Sequence, residues 1–168
     1  MNKTWPIFFK IKIDSSLEDL WMLFAKPRNL NLVHPFCKSN EIINWVGLGS
    51  IDMLVHLNGL TYLIWFTKWE KNKGYILLIG FKKGPKSKVV WKITSSGNST
   101  YFSITLYSFL LNSWPKVLSY FPYFVFVKPT FIKYLKSVRW GINWHLINKI
   151  AVPKNHFGKH IWFFKPQC

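Results

Sequence analysis

Asp52 and His56 are the pair of residues in this chain whose types and spacing best suit joint chemistry. They lie four residues apart in a segment that predicts a β-strand, so both side chains share one face of it. At about 3.3 Å per residue they stand roughly 13 Å apart, which excludes a direct Asp–His contact. Facing a cavity, they would hold the polar end of a ligand or act as acid and base; facing outward, they would be surface groups.

The other histidines and the cysteines give weaker signals. His34 comes three residues before Cys37, and proximity in sequence alone does not indicate a catalytic pair. His156 and His160 are four residues apart, but they flank Gly158 and lack the glutamate of a zinc-protease motif. We therefore predict no metal and no cofactor, and we favour a binding protein over an enzyme.

The charge of the chain is strongly asymmetric. The net charge is +17, all six acidic residues lie in the first 70 positions, and the remaining 98 positions hold 16 Lys and Arg. Such a field attracts nucleic acid or an anionic membrane surface. Arg28 and Arg139 are the only arginines, and lysine is poorly suited to bidentate recognition of bases. We expect no specific nucleic-acid partner, while nonspecific binding to an anionic surface or to nucleic acid remains an alternative.

The apolar region from 101 to 132 does not predict a transmembrane helix, because prolines and lysines interrupt it well short of about 20 apolar residues. Its aromatic part, 114–127, is expected to gate the cavity or to contact a membrane. Two cysteines, Cys37 and Cys168, imply no disulfide framework and suit a reducing compartment. The sequence thus predicts a cytoplasmic protein, free or peripheral on a membrane, and leaves its oligomeric state open.

The spacing of turn residues predicts the elements that must position these side chains. Residues 5–13 alternate as a strand, and two short helices follow at 17–25 and 28–33. Six more strands with short connections are expected to be antiparallel neighbours, at 40–46, 50–57, 60–70, 75–81, 87–94 and 100–109. A long amphipathic helix with Pro129 in its first turn is predicted to run to about 150, with its apolar stripe at Phe131, Leu135, Val138, Ile142 and Leu146.

These elements predict one α+β domain over residues 1–150, followed by an aromatic, basic tail over 151–168. A curved seven-stranded antiparallel sheet would wrap around the long C-terminal helix. The two short helices after the first strand would hold the sheet and that helix apart. We therefore expect a cavity between them.

Three segments carry a family resemblance. In residues 13–21 a strand passes into a helix that contains Trp21, residues 27–36 form a second helical segment, and residues 43–52 form a strand–Gly–strand turn. This order resembles the START-like or SRPBCC superfamily, the helix-grip fold of the birch pollen allergens, over about residues 5–150. The resemblance implies binding of hydrophobic ligands such as lipids, sterols or polyketides. A minority of such proteins are cyclases, aromatases or hydrolases, so a polyketide cyclase-like enzyme using His56 or Asp52 remains an alternative.

We predict a protein that binds a lipid, an isoprenoid or a similar hydrophobic molecule between the sheet and the C-terminal helix. Alternation does not say which face of strand 60–70 points inward: Tyr62 with Ile64 and Phe66, or Leu63 with Trp65 and Trp69. The candidate ligand-binding residues are Asp52, His56, Tyr62, Trp65, Tyr75, Trp91, Tyr107, Val138 and Ile142.

Overall fold

The structure, a computed structural model, describes residues 5–163. The strands are β1 (Ile7–Ile13), β2 (Cys37–Asn44), β3 (Ile51–His56), β4 (Thr61–Glu70), β5 (Gly74–Gly80), β6 (Lys86–Ser96) and β7 (Ser99–Tyr107). The helices are α1 (Leu17–Ala25), α2 (Leu30–Val33), α3 (Lys116–Pro122) and α4 (Lys128–Asn148). A π-helical segment, Tyr123–Val127, joins α3 to α4.

All seven strands form one antiparallel sheet in the order β1-β7-β6-β5-β4-β3-β2. Strands β2 to β7 pair with their neighbours in the chain, and β1 joins the other edge beside β7. In β7 buried and half-buried residues alternate strictly, because one face of the sheet packs against α4 and the other faces outward. The predicted α+β helix-grip architecture is confirmed.

Local sequence explains why α1 follows β1 so closely. Ser16 is the N-cap residue of α1, and its hydroxyl accepts a 3.0 Å hydrogen bond from the Asp19 backbone N–H. The helix buries Leu20, Trp21, Leu23 and Phe24 against the sheet. These four buried side chains therefore close one end of the space between the sheet and α4.

Helix α4 approaches the α2–β2 connection very closely at Gly141. A Cβ placed on Gly141 would lie 2.0 Å from the backbone oxygen of Val33. Only the absence of a side chain permits this distance, which holds α4 beside the segment that contains His34 and Pro35.

Two element boundaries differ from the sequence prediction. Helical structure begins at Lys116, before the predicted first turn at Pro129, because the chain stays helical through Pro122 and the π-helical segment. Pro129 occupies the first turn of α4, as predicted. Strand β2 begins at Cys37, before residue 40, since a register shift between Cys37 and Ser39 hides the alternation there.

The part of the predicted tail that the structure describes, 151–163, packs on the rest of the fold. The backbone N–H groups of Val152 and Asn155 donate to Leu32 and Pro35, and the Lys154 ammonium donates to the Cys37 carbonyl. The last five residues of that predicted tail, 164–168, lie outside the described residues, and the division of the chain at residue 150 stays a prediction. None of the helices within 5–163 has the length and apolar character needed to cross a membrane.

Candidate functional site

A cavity of about 490 Å³ lies between the inner face of the sheet and α4. Strands β3 to β7 line it with alternate residues, and α4 contributes Phe131, Tyr134, Leu135 and Val138 from one face. The wall is predominantly apolar. Its lining residues include no Lys or Arg, and Asp52 is the only carboxylate among them.

The cavity has a closed end and an open end. The closed end is packed with rings: Tyr75 stacks on Trp91 and on Trp69, with centroid distances of 5.4 and 5.6 Å. Most of the half-exposed lining residues lie at the opposite end, near the β3–β4 turn and the start of α4: Leu60, Tyr62, Ile79, Phe109, Leu110, Phe131 and Trp162. We take this end as the mouth.

The structure answers the parity question for β4. Tyr62, Ile64 and Phe66 line the cavity, whereas Trp65 lies on the outer face, where the Lys86 ammonium sits 4.8 Å from its ring centroid. A register shift between Phe66 and Lys68 then returns Trp69 to the inner face, among Trp21, Trp45 and Tyr75. The first alternative is therefore correct for Tyr62, Ile64 and Phe66, and of the second set only Trp69 lies on the inner face.

Six of the nine candidate residues lie in the cavity wall: Asp52, His56, Tyr62, Tyr75, Trp91 and Val138. The other three do not line the cavity, contrary to the prediction. Trp65 and Tyr107 belong to the outer parity of their strands, where each ring faces a lysine. Ile142 is fully buried one helical turn beyond Val138, outside the cavity lining.

Asp52 forms an inner polar site on the cavity wall. One carboxylate oxygen, Oδ2, accepts a 2.9 Å hydrogen bond from Asn40 Nδ2. The other, Oδ1, is buried and has no hydrogen-bond partner among the described residues. Burial raises the pKa of Asp52 to about 6, while the bond from Asn40 acts in the opposite direction. Asp52 is thus ionised at neutral pH at an energetic cost.

A second polar group of side chains lies nearer the mouth. His34 Nε2 is 2.5 Å from the Tyr134 hydroxyl, and the His34 and His56 rings are 5.6 Å apart. Desolvation holds the pKa of His34 well below its usual range and lowers the pKa of His56 to about 4. Both imidazoles are therefore neutral at physiological pH. The Nδ1 atom of His56 is buried and has no hydrogen-bond partner among residues 5–163.

The chain after α4 completes this end of the cavity. Phe163 stacks on His56 and on His160, with centroid distances of 4.1 and 5.2 Å, and Trp162 packs edge-on against Phe131. The Asn58 side-chain amide donates a 2.8 Å hydrogen bond to the Trp162 carbonyl. Residues 162 and 163 are therefore part of the wall, a role that the sequence prediction did not assign to them.

The structure does not bring His156 and His160 together as metal ligands. His160 Nε2 is 3.1 Å from the Thr130 carbonyl oxygen, whereas the His156 ring packs on the Trp144 ring with a centroid distance of 4.2 Å. Within the described part of the chain, no group of three His, Cys, Asp or Glu residues could hold a metal ion. Cys37 is a buried free thiol whose pKa desolvation raises to about 12, so it is poorly suited to act as a nucleophile.

The candidate list leaves out four polar lining residues: Asn29, His34, Ser87 and Tyr134. A signal for Tyr134 was present, since it lies three residues after Phe131 and four before Val138 on the predicted helix stripe. The sequence places His34 just before Pro35, near a plausible cavity mouth, but it gives no signal for the direction of the side chain, because α2 is a single turn whose orientation depends on the close contact of Val33 with Gly141.

No protein-family model matches this chain, and no curated protein gives a significant match. Solved structures do share its fold. A START superfamily protein from Mycobacterium smegmatis aligns with a TM-score of 0.63 at 11% identity, over 86% of this chain and 98% of that one. Protein Ms6760 from the same organism aligns with a TM-score of 0.62 at 16% identity, over 89% and 95%.

DynU16, a protein of the dynemicin biosynthetic locus, aligns with a TM-score of 0.60 at 13% identity. The match covers 87% of this chain and 48% of DynU16, so this chain spans about half of that protein's length. Identities this low establish the architecture and leave the activity to be argued from the site. The chain therefore has the START-like helix-grip fold.

Proposed function

We propose that this protein binds a hydrophobic small molecule, a lipid, an isoprenoid or a similar compound, in the cavity between the sheet and α4. The supporting observation is an apolar cavity of about 490 Å³ whose lining has no Lys or Arg, in a chain of net charge +17. Small-molecule sites commonly enclose about 300–1,000 Å³. Removing apolar ligand surface from water, at roughly 25 cal/mol per Å², would drive the binding.

A titration with the neutral fluorescent probe N-phenyl-1-naphthylamine tests this proposal. Leu77 lines the cavity, and Leu78, its neighbour on β5, lies on the other face of the sheet. The Leu77→Trp variant fills the cavity and should weaken probe binding at least about tenfold. The matched Leu78→Trp variant should bind as the wild type does. Failure of the wild type to bind the probe, or equal binding by both variants, would contradict the proposal.

We further propose that the protein takes up its ligand in the cytoplasm at an anionic membrane surface, as a peripheral protein. Segment 114–127, which connects mouth residues Phe109 and Leu110 to Phe131, exposes a row of large apolar side chains. Val117 is 87% exposed, Phe121 68% and Phe126 62%. Lysines flank the row at 116 and 128, and no acidic residue follows position 70. An apolar row between cations matches the chemistry of an anionic bilayer interface.

Vesicle sedimentation tests the membrane contact, with vesicles of phosphatidylcholine alone or mixed with phosphatidylserine. The wild type should bind the mixed vesicles, and Phe121→Ser/Phe126→Ser should reduce binding at least about fivefold. A control, Ile43→Ser/Ile147→Ser, removes two exposed apolar side chains elsewhere on the surface and should bind normally. Equal binding by both double variants would refute this contact. Equally salt-sensitive binding to RNA would point to nonspecific attraction of anions.

One observation favours a second candidate, an enzyme of the cyclase or aromatase type. Asp52 and His56 share the cavity wall, and each has a buried atom with no hydrogen-bond partner among the described residues. Such groups suit proton transfer to a bound ligand. For an enzyme, His56→Ala would abolish turnover of an added polyketide substrate while leaving binding of the fluorescent probe intact. No turnover by the wild type would leave binding as the function.

A further inference from the structure

The cavity wall differs in charge from the strongly basic chain that forms it. The chain holds 23 Lys and Arg, yet none of those within residues 5–163 lines the cavity. A ligand that ends in a carboxylate or phosphate would find no cation within the wall. It would meet the Asp52 carboxylate, which is ionised at neutral pH. Like charges in a poorly solvated space repel strongly, so the wall disfavours an anionic end.

The inner polar site offers an unpartnered acceptor, and the side-chain amides beside it already donate elsewhere. Asp52 is 2% exposed, and its Oδ1 atom accepts no hydrogen bond from any described residue. The side-chain amide of Asn40 donates to Asp52 Oδ2 at 2.9 Å and to the Met53 carbonyl at 3.3 Å. The Asn29 amide donates to the Phe24 carbonyl at 2.7 Å. A ligand that donates a hydrogen bond is therefore the one that this site can satisfy.

The spacing along β3 orients such a ligand. Asp52, Leu54 and His56 all line the wall, with the carboxylate toward the closed end and the imidazole near the mouth. The two polar side chains are roughly 13 Å apart, with Leu54 between them. A donor at the inner end thus leaves the apolar body of the ligand against Leu54 and α4.

We infer that the cavity selects a hydrophobic ligand whose polar end donates a hydrogen bond, an alcohol or an amine, and rejects one that ends in a carboxylate. This inference rests on the proposed function. A hydroxyl or an ammonium would bond to the unpartnered oxygen of Asp52, and a charge-assisted bond of this kind is about twice as strong as a neutral one.

Displacement of bound N-phenyl-1-naphthylamine by a matched series tests the inference: dodecanol, dodecylamine, dodecyl methyl ether and dodecanoic acid at pH 7.5. The alcohol or the amine should displace the probe at about tenfold lower concentration than the ether or the acid. Comparing alcohol with amine shows which donor is preferred. The alcohol and the ether share an alkyl chain, so their ratio measures the donor directly in the unmodified protein.

The Asp52→Asn variant should narrow the gap between dodecanol and dodecanoic acid to within about threefold. Glu41→Gln is the control, since it removes a carboxylate of β2 that pairs with Arg28 outside the cavity wall. It should leave the series unchanged. If the probe binds but acid, ether, alcohol and amine compete equally, or if the Asp52→Asn variant preserves the wild-type ratios, the inference is overturned while the binding function stands. If the probe does not bind at all, the proposed function itself fails.

Discussion

Keeping the buried carboxyl group of Asp52 ionised costs the folded state free energy. Its carboxyl is buried beside a single hydrogen-bond donor, and its pKa is raised from 3.8 to about 6. The folded state therefore binds a proton more readily than the unfolded chain, so ionised Asp52 destabilises the fold above this range. Buried groups of this kind are common where a site is built for a ligand rather than for stability.

Replacing Asp52 by Asn should stabilise the protein at pH 8 by about 3 kcal/mol, because the variant has no buried charge. The gain should shrink as the pH falls through 6 and vanish only below about 3, where Asp52 is protonated in both states. Urea denaturation of the two proteins across this range measures the difference. A gain that does not depend on pH would show that the buried charge of Asp52 is not its cause.

His56 should make the protein sensitive to acid in the opposite sense. Burial lowers its pKa from 6.5 to about 4, so between these values the unfolded chain binds a proton that the folded state excludes. Stability is unaffected above 6.5 and falls as the pH drops toward 4. The pKa values of the neighbouring His34 and His160 shift in the same direction, and that of Asp52 in the opposite one.

A His56→Gln variant cannot take up this proton, so its loss of stability between pH 6.5 and 4 should be smaller by about 2 kcal/mol. Urea denaturation at matched pH values provides the test. The comparison uses the change with pH in each protein, which cancels any constant effect of the substitution. Parallel pH profiles for wild type and variant would contradict the assignment.

Among the elements, the segment after α4 has the most specific relation to the cavity. Its Phe163 ring covers His56 and His160 at the mouth, whereas Phe157 packs on Trp140 outside the cavity lining. A ligand that enters or leaves at this end passes Phe163. The segment is therefore expected to slow exchange of the ligand.

Phe163→Ala should speed release of N-phenyl-1-naphthylamine at least about threefold and destabilise the fold by about 3 kcal/mol. Stopped-flow dilution of the loaded protein measures the release rate, and thermal denaturation measures the stability. The Phe157→Ala control also shortens an aromatic side chain of this segment and should release the probe at the wild-type rate. The same rate in Phe163→Ala would show that the ring does not limit exchange.

At the level of elements, the sequence was most informative where periodicity was unbroken. Alternation in β3 correctly put Asp52 and His56 on one face, but the direction of that face depends on packing against α4. In β4 the register shift before Lys68 placed Trp69 on the inner face against simple alternation. The proline at 122 suggested an interruption, whereas the chain continues as a π-helical segment.

For the whole molecule, fold class followed from the order and length of elements, because short connections between strands admit few topologies. The residues of the site could be predicted from the sequence only in part. Contacts between distant parts of the chain, such as His34 with Tyr134 and Phe163 with His56, have no local signature. Within residues 5–163 all Lys and Arg lie outside the cavity wall, where Asp52 is the one carboxylate, and composition alone could not reveal this separation.

The central claim is that the cavity between the sheet and α4 binds a small hydrophobic ligand. Native mass spectrometry after incubation with a total lipid extract tests it most directly. Wild type and Leu78→Trp should each carry one small hydrophobic molecule that collisional activation releases, and Leu77→Trp should carry none. Absence of a bound molecule from the wild type, or its equal retention by Leu77→Trp, would contradict the account.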